Sequence, residues 1–322
     1  MQQITRVNCR TWSRLGQRGT FFGIALPEIA AQLENVWVST ADLATLSGLD
    51  RYQKSFPERF LNVGIAEQNL IGMSSGLAKE GNVVFATTYA TFIAMRSYEQ
   101  IRHNLGYQRC NVKVVGSAAG LVMGMSGNTH YTFEDIAVMR AIPGITIISP
   151  ADSAEAYKAA WAAANSSEPM YIRLTGGLNC SPVYTEEYDF QVGKIQALKQ
   201  GSDIAIFSTG TMVYQSLEAA KLLDEKGIST SVYNVHTIKP LDKQTIISAC
   251  ACHKKIVSVE EHNVIGGLGS AIAEVKSTLD NSPRQLFIGI QDTFFTPASY
   301  EYLLETCGLT AAHIAERIVS DN

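Results

Sequence analysis

The sequence predicts an α/β protein of two doubly wound domains, each a mainly parallel sheet with helices on both faces. Three observations predict it. Short runs rich in Val, Ile and Leu alternate along the chain with stretches of helical periodicity, the order that builds parallel sheets through crossover connections. The 322 residues leave room for two domains of ordinary size. A stretch of scattered glycines, acids and Pro182, from Gly176 to Gly193, separates two such alternating units. The division that follows is an N-terminal arm at 1–18, a first domain at 19–175, a linker at 176–193 and a second domain at 194–322.

Residues 1–18 hold four arginines and little hydrophobic periodicity, which predicts a loose arm or a contact with another chain. Thr20 to Leu33 reads as a helix that Pro27 kinks or breaks. Val36 to Thr40 is a strand, followed by Ala41-Asp42-Leu43-Ala44. Phe60 to Val63 can make a short strand, Gly64 lets the backbone turn, and a helix starts near Ile65. Within it Ala66, Leu70, Met73 and Leu77, at spacings of 4, 3 and 4, predict one apolar face. Glu67 then falls in the first turn, where the helix dipole favours negative charge. Val83 to Thr87 is a buried strand, and Thr91 to Leu105 a helix with Ala94, Tyr98, Ile101 and Leu105 on one face. Val112 to Ser117 is a strand leading into a glycine-rich loop, Gly120 to His130, and another helix. Ile145 to Ser149, a helix from Ser153, and Met170 to Leu174 complete the first unit. In the second, strands are expected at Ile204 to Ser208, Ser231 to Val235, Ile256 to Glu260 and Leu286 to Ile290. Helices fit Thr211 to Glu225, Asp242 to Cys250, Gly267 to Leu279 and Pro297 to Thr306, with a last one begun near Thr310.

The content of 46% apolar and 17% charged residues is that of a soluble globular protein with a substantial core. A formal charge of -4, from 26 basic and 30 acidic residues, argues against a broad nucleic-acid or membrane surface. The six cysteines include no zinc-type CxxC pair, and Cys250-Ala-Cys252 has no second half, so they read as buried thiols in a reducing compartment. With no apolar run long enough to span a bilayer and no signal-peptide core, the expected location is the cytoplasm.

The chemistry centres on Glu67. A first-turn glutamate ordinarily faces solvent, but Val63, Gly64, Ile65 and Ala66 are apolar or small, and a carboxylate held among them is available for proton work. The run RFLNVGIAEQNLIGMSSGLA (59–78) resembles the signature of the transketolase superfamily, in which VGIAEQN marks the pyrimidine-binding domain of thiamine diphosphate enzymes. The resemblance implies that Glu67 hydrogen-bonds N1′ of the cofactor's aminopyrimidine and favours the tautomer that removes the reactive proton. It also implies that Asp42, in a run similar to the family's S-A-D-L, and Ile65 lie beside the cofactor. TYATFIAMRSYEQIR (88–102) is similar to the family's helix whose aromatic residues stack on the pyrimidine. Phe92 is the first choice for that contact, with Tyr89 and Tyr98 as further contributors. For Tyr98, on the apolar stripe, core packing is an equal alternative. Arg96 and Gln100 match residues near the substrate pocket, although an exposed helix face explains them as well. In the second half, VHTIKPLD (235–242) and VEEHNVIGGLGSAIAEV (259–275) resemble the transketolase C-terminal domain. Gly266, Gly267 and Gly269 invite a dinucleotide reading, but Ile272 stands where the third glycine belongs, and a tight strand-to-helix turn suffices.

Members of this family hold a divalent metal and the diphosphate through a G-D-G run followed by an Asn, and no GDG occurs in the 322 residues. The resemblance covers about residues 18 to 320. It therefore implies the carboxy-terminal subunit of a split transketolase, inert alone and without metal ligands of its own. An N-terminal transketolase-type subunit would carry Mg2+ or a similar ion, and thiamine diphosphate would sit between the chains. The family's dimerisation implies an α2β2 heterotetramer. Thr129 and His130 keep the T-H of the relatives' G-E-D-G-x-T-H loop, which implies that His130 bonds a substrate oxygen or moves a proton. Met125 and Ser126 replace its Glu and Asp, and Ser126 and Thr129 join the candidate substrate residues. Ala118 and Gly176 stand where sugar-phosphate transketolases place a His and an Arg. The usual cationic clamp for a substrate phosphate is thus absent or rebuilt, with Arg10, Arg14, Arg18, Arg173 or the partner as substitutes. The implied activity is transfer of a two-carbon ketol or acyl unit from a ketose-type donor to an aldehyde, on a substrate that can be non-standard. The alternatives are the beta subunit of a 2-oxo acid dehydrogenase, a deoxyxylulose phosphate synthase-like acyl transferase, and a non-catalytic regulatory or scaffolding partner.

Overall fold

The computed structural model of the chain describes residues 1–321. Its strands are β1 (Val36–Thr40), β2 (Phe60–Asn62), β3 (Val83–Tyr89), β4 (Val112–Ala119), β5 (Thr146–Ile148), β6 (Met170–Thr175), β7 (Gln196–Lys199), β8 (Ile204–Ser208), β9 (Thr230–Asn234), β10 (Thr237–Lys239), β11 (Lys255–Asn263) and β12 (Arg284–Ile290). They form a seven-stranded sheet in the order β10-β5-β6-β4-β3-β1-β2 and a five-stranded sheet in the order β12-β11-β8-β9-β7. Pairing is parallel except at β10 and β7, each antiparallel at an edge. The α/β class and both mainly parallel sheets are as the alternation predicts. Alternation within strands explains the two-faced burial. Val36, Val38, Phe85 and Ile172 enter one core, while Val84, Ala86, Val114 and Tyr171 enter the core behind the sheet. In the second sheet Ile204, Ile206 and Val257 face one way, and Ala205, Phe207 and Ile256 the other.

Two edge strands, β7 and β10, lie outside the sequence expectation. Both are short, and β10 gains its partner only through a return to the first sheet, where Thr237 opposes Ile148. The second half of the chain therefore completes the first sheet. Lys239 Nζ reinforces this by donating to the carbonyls of Arg140 (2.8 Å) and Ile142 (2.6 Å).

The expectation of a loose arm at residues 1–18 is corrected. Arg6–Thr20 is a helix capped by Thr5 and packed on the helix Ser153–Ala164, with Trp12 stacked on Tyr157 at 4.6 Å between ring centroids. Cys9 and Trp12 lie on its buried face, Gly16 kinks it at φ 69°, and Gln17 and Thr20 are buried beyond the kink; the interleaved arginines hide these buried positions in the sequence. The expected kink or break at Pro27 takes the form of a change of winding just before it. A π turn, Phe21–Ala25, leads directly into the helix Leu26–Ala30, and Pro27 sits near its start, where a missing N–H costs little.

Residues between β6 and β7 hold no regular element among the described residues and are strapped to the first half. Asp152 Oδ2 accepts from the Val183 (2.7 Å) and Tyr184 (2.8 Å) amides, and burial pushes its carboxyl up to about 6. Of the cysteines, Cys9, Cys110, Cys180 and Cys250 are buried as expected, but Cys307 is only partly buried and Cys252, the last residue of its helix, is exposed.

Candidate active site

In open parallel sheets, ligands bind outside the carboxyl ends of the strands, where the strand order reverses. Here the order reverses at β1, because the chain steps out to β2 and returns across it to β3. The carboxyl ends of β1, β3 and β4 carry irregular backbone. Asp42 and Ala118 both have positive φ, 58° and 56°; an aspartate tolerates this region, but for Ala118 it is a strain of the kind that clusters at functional sites.

The helix expected from Ile65 begins at Glu67 and runs to Lys79. Its buried face is Glu67, Leu70, Ile71 and Ser74, rather than the expected stripe of Ala66, Leu70, Met73 and Leu77; Met73 points outward at 42% exposed. Ser74 explains the rotation, because its hydroxyl meets Ser39 of β1 at 2.8 Å. This rotation brings Glu67 inside, 3% exposed, despite its place in the first turn. The turn before it is braced by Asn62, whose Oδ1 accepts the amides of Asp42 and Gly64, each at 3.0 Å. Asn62 is not among the residues that the sequence singles out, and only its position before the turning glycine signals it.

Arg96 Nη1 donates to Glu67 Oε1 at 2.7 Å, and the Arg96 guanidinium lies over the Phe92 ring, 4.6 Å from its centroid. Both residues belong to a single π turn, Phe92–Arg96, whose wider winding places its first and last side chains together. Phe92 and Tyr89 then meet the imidazole of His130, at centroid separations of 5.4 and 6.0 Å, and each other at 6.0 Å. His130 Nδ1 lies 2.9 Å from Thr129 Oγ1. The structure thus joins Glu67, Arg96, Phe92, Tyr89, His130 and Thr129 in one continuous group, drawn from three separate stretches of sequence.

The other candidates fall outside it. Tyr98 packs beside the core that holds Ile93, Ile101 and Leu105. The Gln100 side-chain oxygen is buried without a hydrogen-bond partner among the described residues, and Gln100 makes no hydrogen bond or ring contact with the group. Ile65 is 77% exposed in the turn before Glu67, and Asp42 is exposed at the rim, bonded to Asn62. Ser126 is exposed on the 3-10 turn Gly124–Thr129.

Beside the group, a cavity of about 240 Å³ is lined by Arg18, Ala118, Met123 and Gly176, among others. It adjoins a larger one of about 560 Å³ between the two halves, which shares Val122, Gly176, Gly177 and Leu178 with it. Arg18 is half-buried; burial lowers its pKa, and nearby Tyr89 acts in the opposite direction. Of the proposed substitute cations, Arg18 is the one at this wall. Arg10 and Arg14 line a different groove, and Arg173 is consumed inside the protein, 1% exposed and bonded to Asp135.

The residues fit an aminopyrimidine. Arg96 is a flat π cation that donates N–H to Glu67 while covering Phe92, so the site accepts a planar group with the same two properties. The dinucleotide reading fails on the donor set. The amides of Leu268 and Gly269 that would cradle a pyrophosphate are taken by the buried Glu260 carboxylate at 2.6 and 2.8 Å, and burial raises that group to about 7.

The description "Transketolase, pyrimidine binding domain" matches residues 18–180, and "Transketolase, C-terminal domain" matches residues 193–314. The chain is 38% identical over 302 residues to a putative transketolase C-terminal section of Methanocaldococcus jannaschii, covering 93% of this chain and 94% of that one. It is 36% identical to the 6-deoxy-6-sulfo-D-fructose transketolase subunit SqwH of Clostridium sp., covering 92% and 91%. One of the subunits of the apulose-4-phosphate transketolase of Phocaeicola vulgatus is 36% identical, covering 84% and 86%. Among solved structures, a split gene transketolase described as an inactive β4 tetramer superposes with a TM-score of 0.85 at 35% identity, covering 95% of this chain and 97% of that one.

Proposed function

The chain belongs to the transketolase family, as the counterpart of the C-terminal section, and from that premise we propose that it works as one half of a two-subunit, thiamine diphosphate-dependent transferase. The reaction is transfer of a two-carbon ketol unit from a ketose-type donor to an aldehyde acceptor. The observation that carries this reading is the buried Glu67 carboxylate shared with a guanidinium that lies on Phe92. Relatives described as subunits or sections support a partner chain, which would hold the diphosphate and a divalent ion such as Mg2+. The exposed helix face of Met73, Gly72 and Gly76, next to the exposed Ile65, supports a subunit contact close to the site, as an α2β2 assembly requires.

When bound, the coenzyme supplies the carbanion-stabilising chemistry that lets a carbon–carbon bond beside a carbonyl break and re-form. Glu67 would accept a ring N–H, holding one tautomer in place, and Arg96 would yield Phe92 to the incoming ring. Phe92 and Tyr89 exclude water from that face. His130, tied at Nδ1 to Thr129, keeps Nε2 for a substrate oxygen, to which it would donate a proton as a carbonyl becomes a hydroxyl and from which it would take one back as a carbonyl re-forms.

Arg18 sets the substrate class in this reading. Ala118 and Gly176 offer the cavity no charge, and Arg18 supplies the cation on the same wall. Two of the relatives are named for anionic sugars, one sulfonated and one phosphorylated, which supports an anionic donor here. Replacing Arg18 by Ala should raise KM for an anionic donor roughly tenfold or more, with a smaller effect on a neutral ketose. Steady-state kinetics of the reconstituted pair with xylulose 5-phosphate, a sulfonated ketose and an uncharged ketose checks this. Equal losses on all three would refute it. Carbon dioxide released from a 2-oxo acid, in place of ketol transfer, would refute the reaction itself.

A further inference from the structure

We propose that Asn128 is a positioning residue for the loop that presents His130, and that residues 291–299 of the second half are the strap to which it fastens. The proposal rests on the reading of His130 given above. The clasp is reciprocal: Asn128 Nδ2 donates to the Phe295 carbonyl at 2.8 Å, and Asn128 Oδ1 accepts from the Phe295 amide at 3.2 Å. Two opposed bonds to one residue's backbone fix orientation as well as distance, as a strand pair does. Asn128 immediately precedes Thr129 and His130, so the clasp decides where that pair stands.

The rest of the loop leans on the same support. The Ala298 amide donates to the Gly124 carbonyl at 3.2 Å, which also accepts the Tyr131 hydroxyl at 2.8 Å. Gly127, at φ 75°, comes so close to the strap that a Cβ there would lie 2.7 Å from Pro297 Cγ, so only glycine serves. Phe133 adds ring contacts to Phe294 and Phe295 at 5.9 and 6.3 Å. At the other end of the loop, the Leu121 amide donates to the buried Glu261 of β11 at 2.7 Å, and Tyr300 holds the other Glu261 oxygen at 2.8 Å. The active-site loop is thus held at both ends by the half of the chain that contributes none of the grouped side chains around Glu67.

Asn128 is exposed, so truncating it removes no core contact. That makes Asn128→Ala a clean test. In the full chain it should leave the melting temperature unchanged. It should also speed hydrogen exchange at the amides of His130 and Tyr131, both bonded to the Gly127 carbonyl, and move the His130 ring signals away from the shifts imposed by Phe92 and Tyr89. In the reconstituted enzyme kcat should fall ten- to roughly a hundredfold, with apparent coenzyme affinity little changed. Asn128→Asp, which keeps the acceptor and loses the donor, should fall between. Unmoved His130 signals in Asn128→Ala overturn the proposal, and so does a moved loop with wild-type kcat. His130→Ala is measured beside it. If that variant turns over like the wild type, the role given to His130 fails by itself, and the ring signals alone decide the clasp.

Discussion

Replacing Glu67 by Ala lowers turnover of the reconstituted enzyme by about 10²–10⁴-fold, the range expected when a positioned proton-handling group is lost. The carboxylate is 3% exposed and its geometry is fixed from two sides, by the first turn of Glu67–Lys79 and by the Arg96 bond at 2.7 Å. Substitution costs little stability, because the Arg96 side chain is 50% exposed and regains water when its partner is gone. A melting curve close to the wild type, together with lost ketol transfer in a coupled assay, is the expected pair of results. Arg96→Ala separates the two contacts of the carboxylate. It frees both Glu67 and the Phe92 face, so the variant should bind coenzyme at least as tightly as the wild type if the guanidinium is displaced on binding.

The largest effect on stability is expected at Asp135. Arg173 and Asp135 are 1% and 0% exposed in their side chains, with Nε 2.8 Å from Oδ2. The same carboxylate accepts the Tyr171 hydroxyl at 2.6 Å, while Arg173 Nη2 donates to the carbonyls of Glu261 (2.9 Å) and Thr132 (3.2 Å). Asp135→Ala leaves a guanidinium buried without its counter-charge, a change that costs about 3–5 kcal/mol. Urea melts should show the loss as a lower midpoint. The double variant Asp135→Ala, Arg173→Met should recover much of it, because an apolar side chain of similar length has no charge to strand. A single variant as stable as the wild type would mean that water or another group reaches Arg173.

Much of the fold is legible in the sequence because it is local. Runs such as Val36–Thr40 and Ile204–Ser208 are strands in the structure over the same residues, and the Gly64 turn and the loop from Gly120 fall between elements as composition suggests. What stays hidden depends on distant partners. Nothing near Thr237–Lys239 announces that it closes the first sheet, and the arginines of Arg6–Thr20 mask buried positions that make sense only against Ser153–Ala164. The site divides the same way. Glu67, Phe92, Tyr89 and His130 stand out in the sequence and lie together in the structure. Tyr98 goes to the core because its position on the helical stripe obeys burial. The bond from Arg96 to Glu67 spans 29 residues, and that from Asn128 to Phe295 spans 167, so neither leaves a periodic trace.

The central claim is that Glu67 and Phe92 hold the pyrimidine half of a coenzyme whose diphosphate half a second chain must grip. Calorimetric titration of thiamine diphosphate with Mg2+ into this chain alone, into the chain with its N-terminal partner, and into that pair carrying Glu67→Ala tests it most directly. The account predicts saturable binding by the wild-type pair and none by the chain alone. It also predicts turnover lowered by about 10²–10⁴-fold in the variant pair, read in a coupled assay, whether or not coenzyme is retained. Tight, Mg2+-dependent binding by the isolated chain, or wild-type turnover from the Glu67→Ala pair, would contradict it.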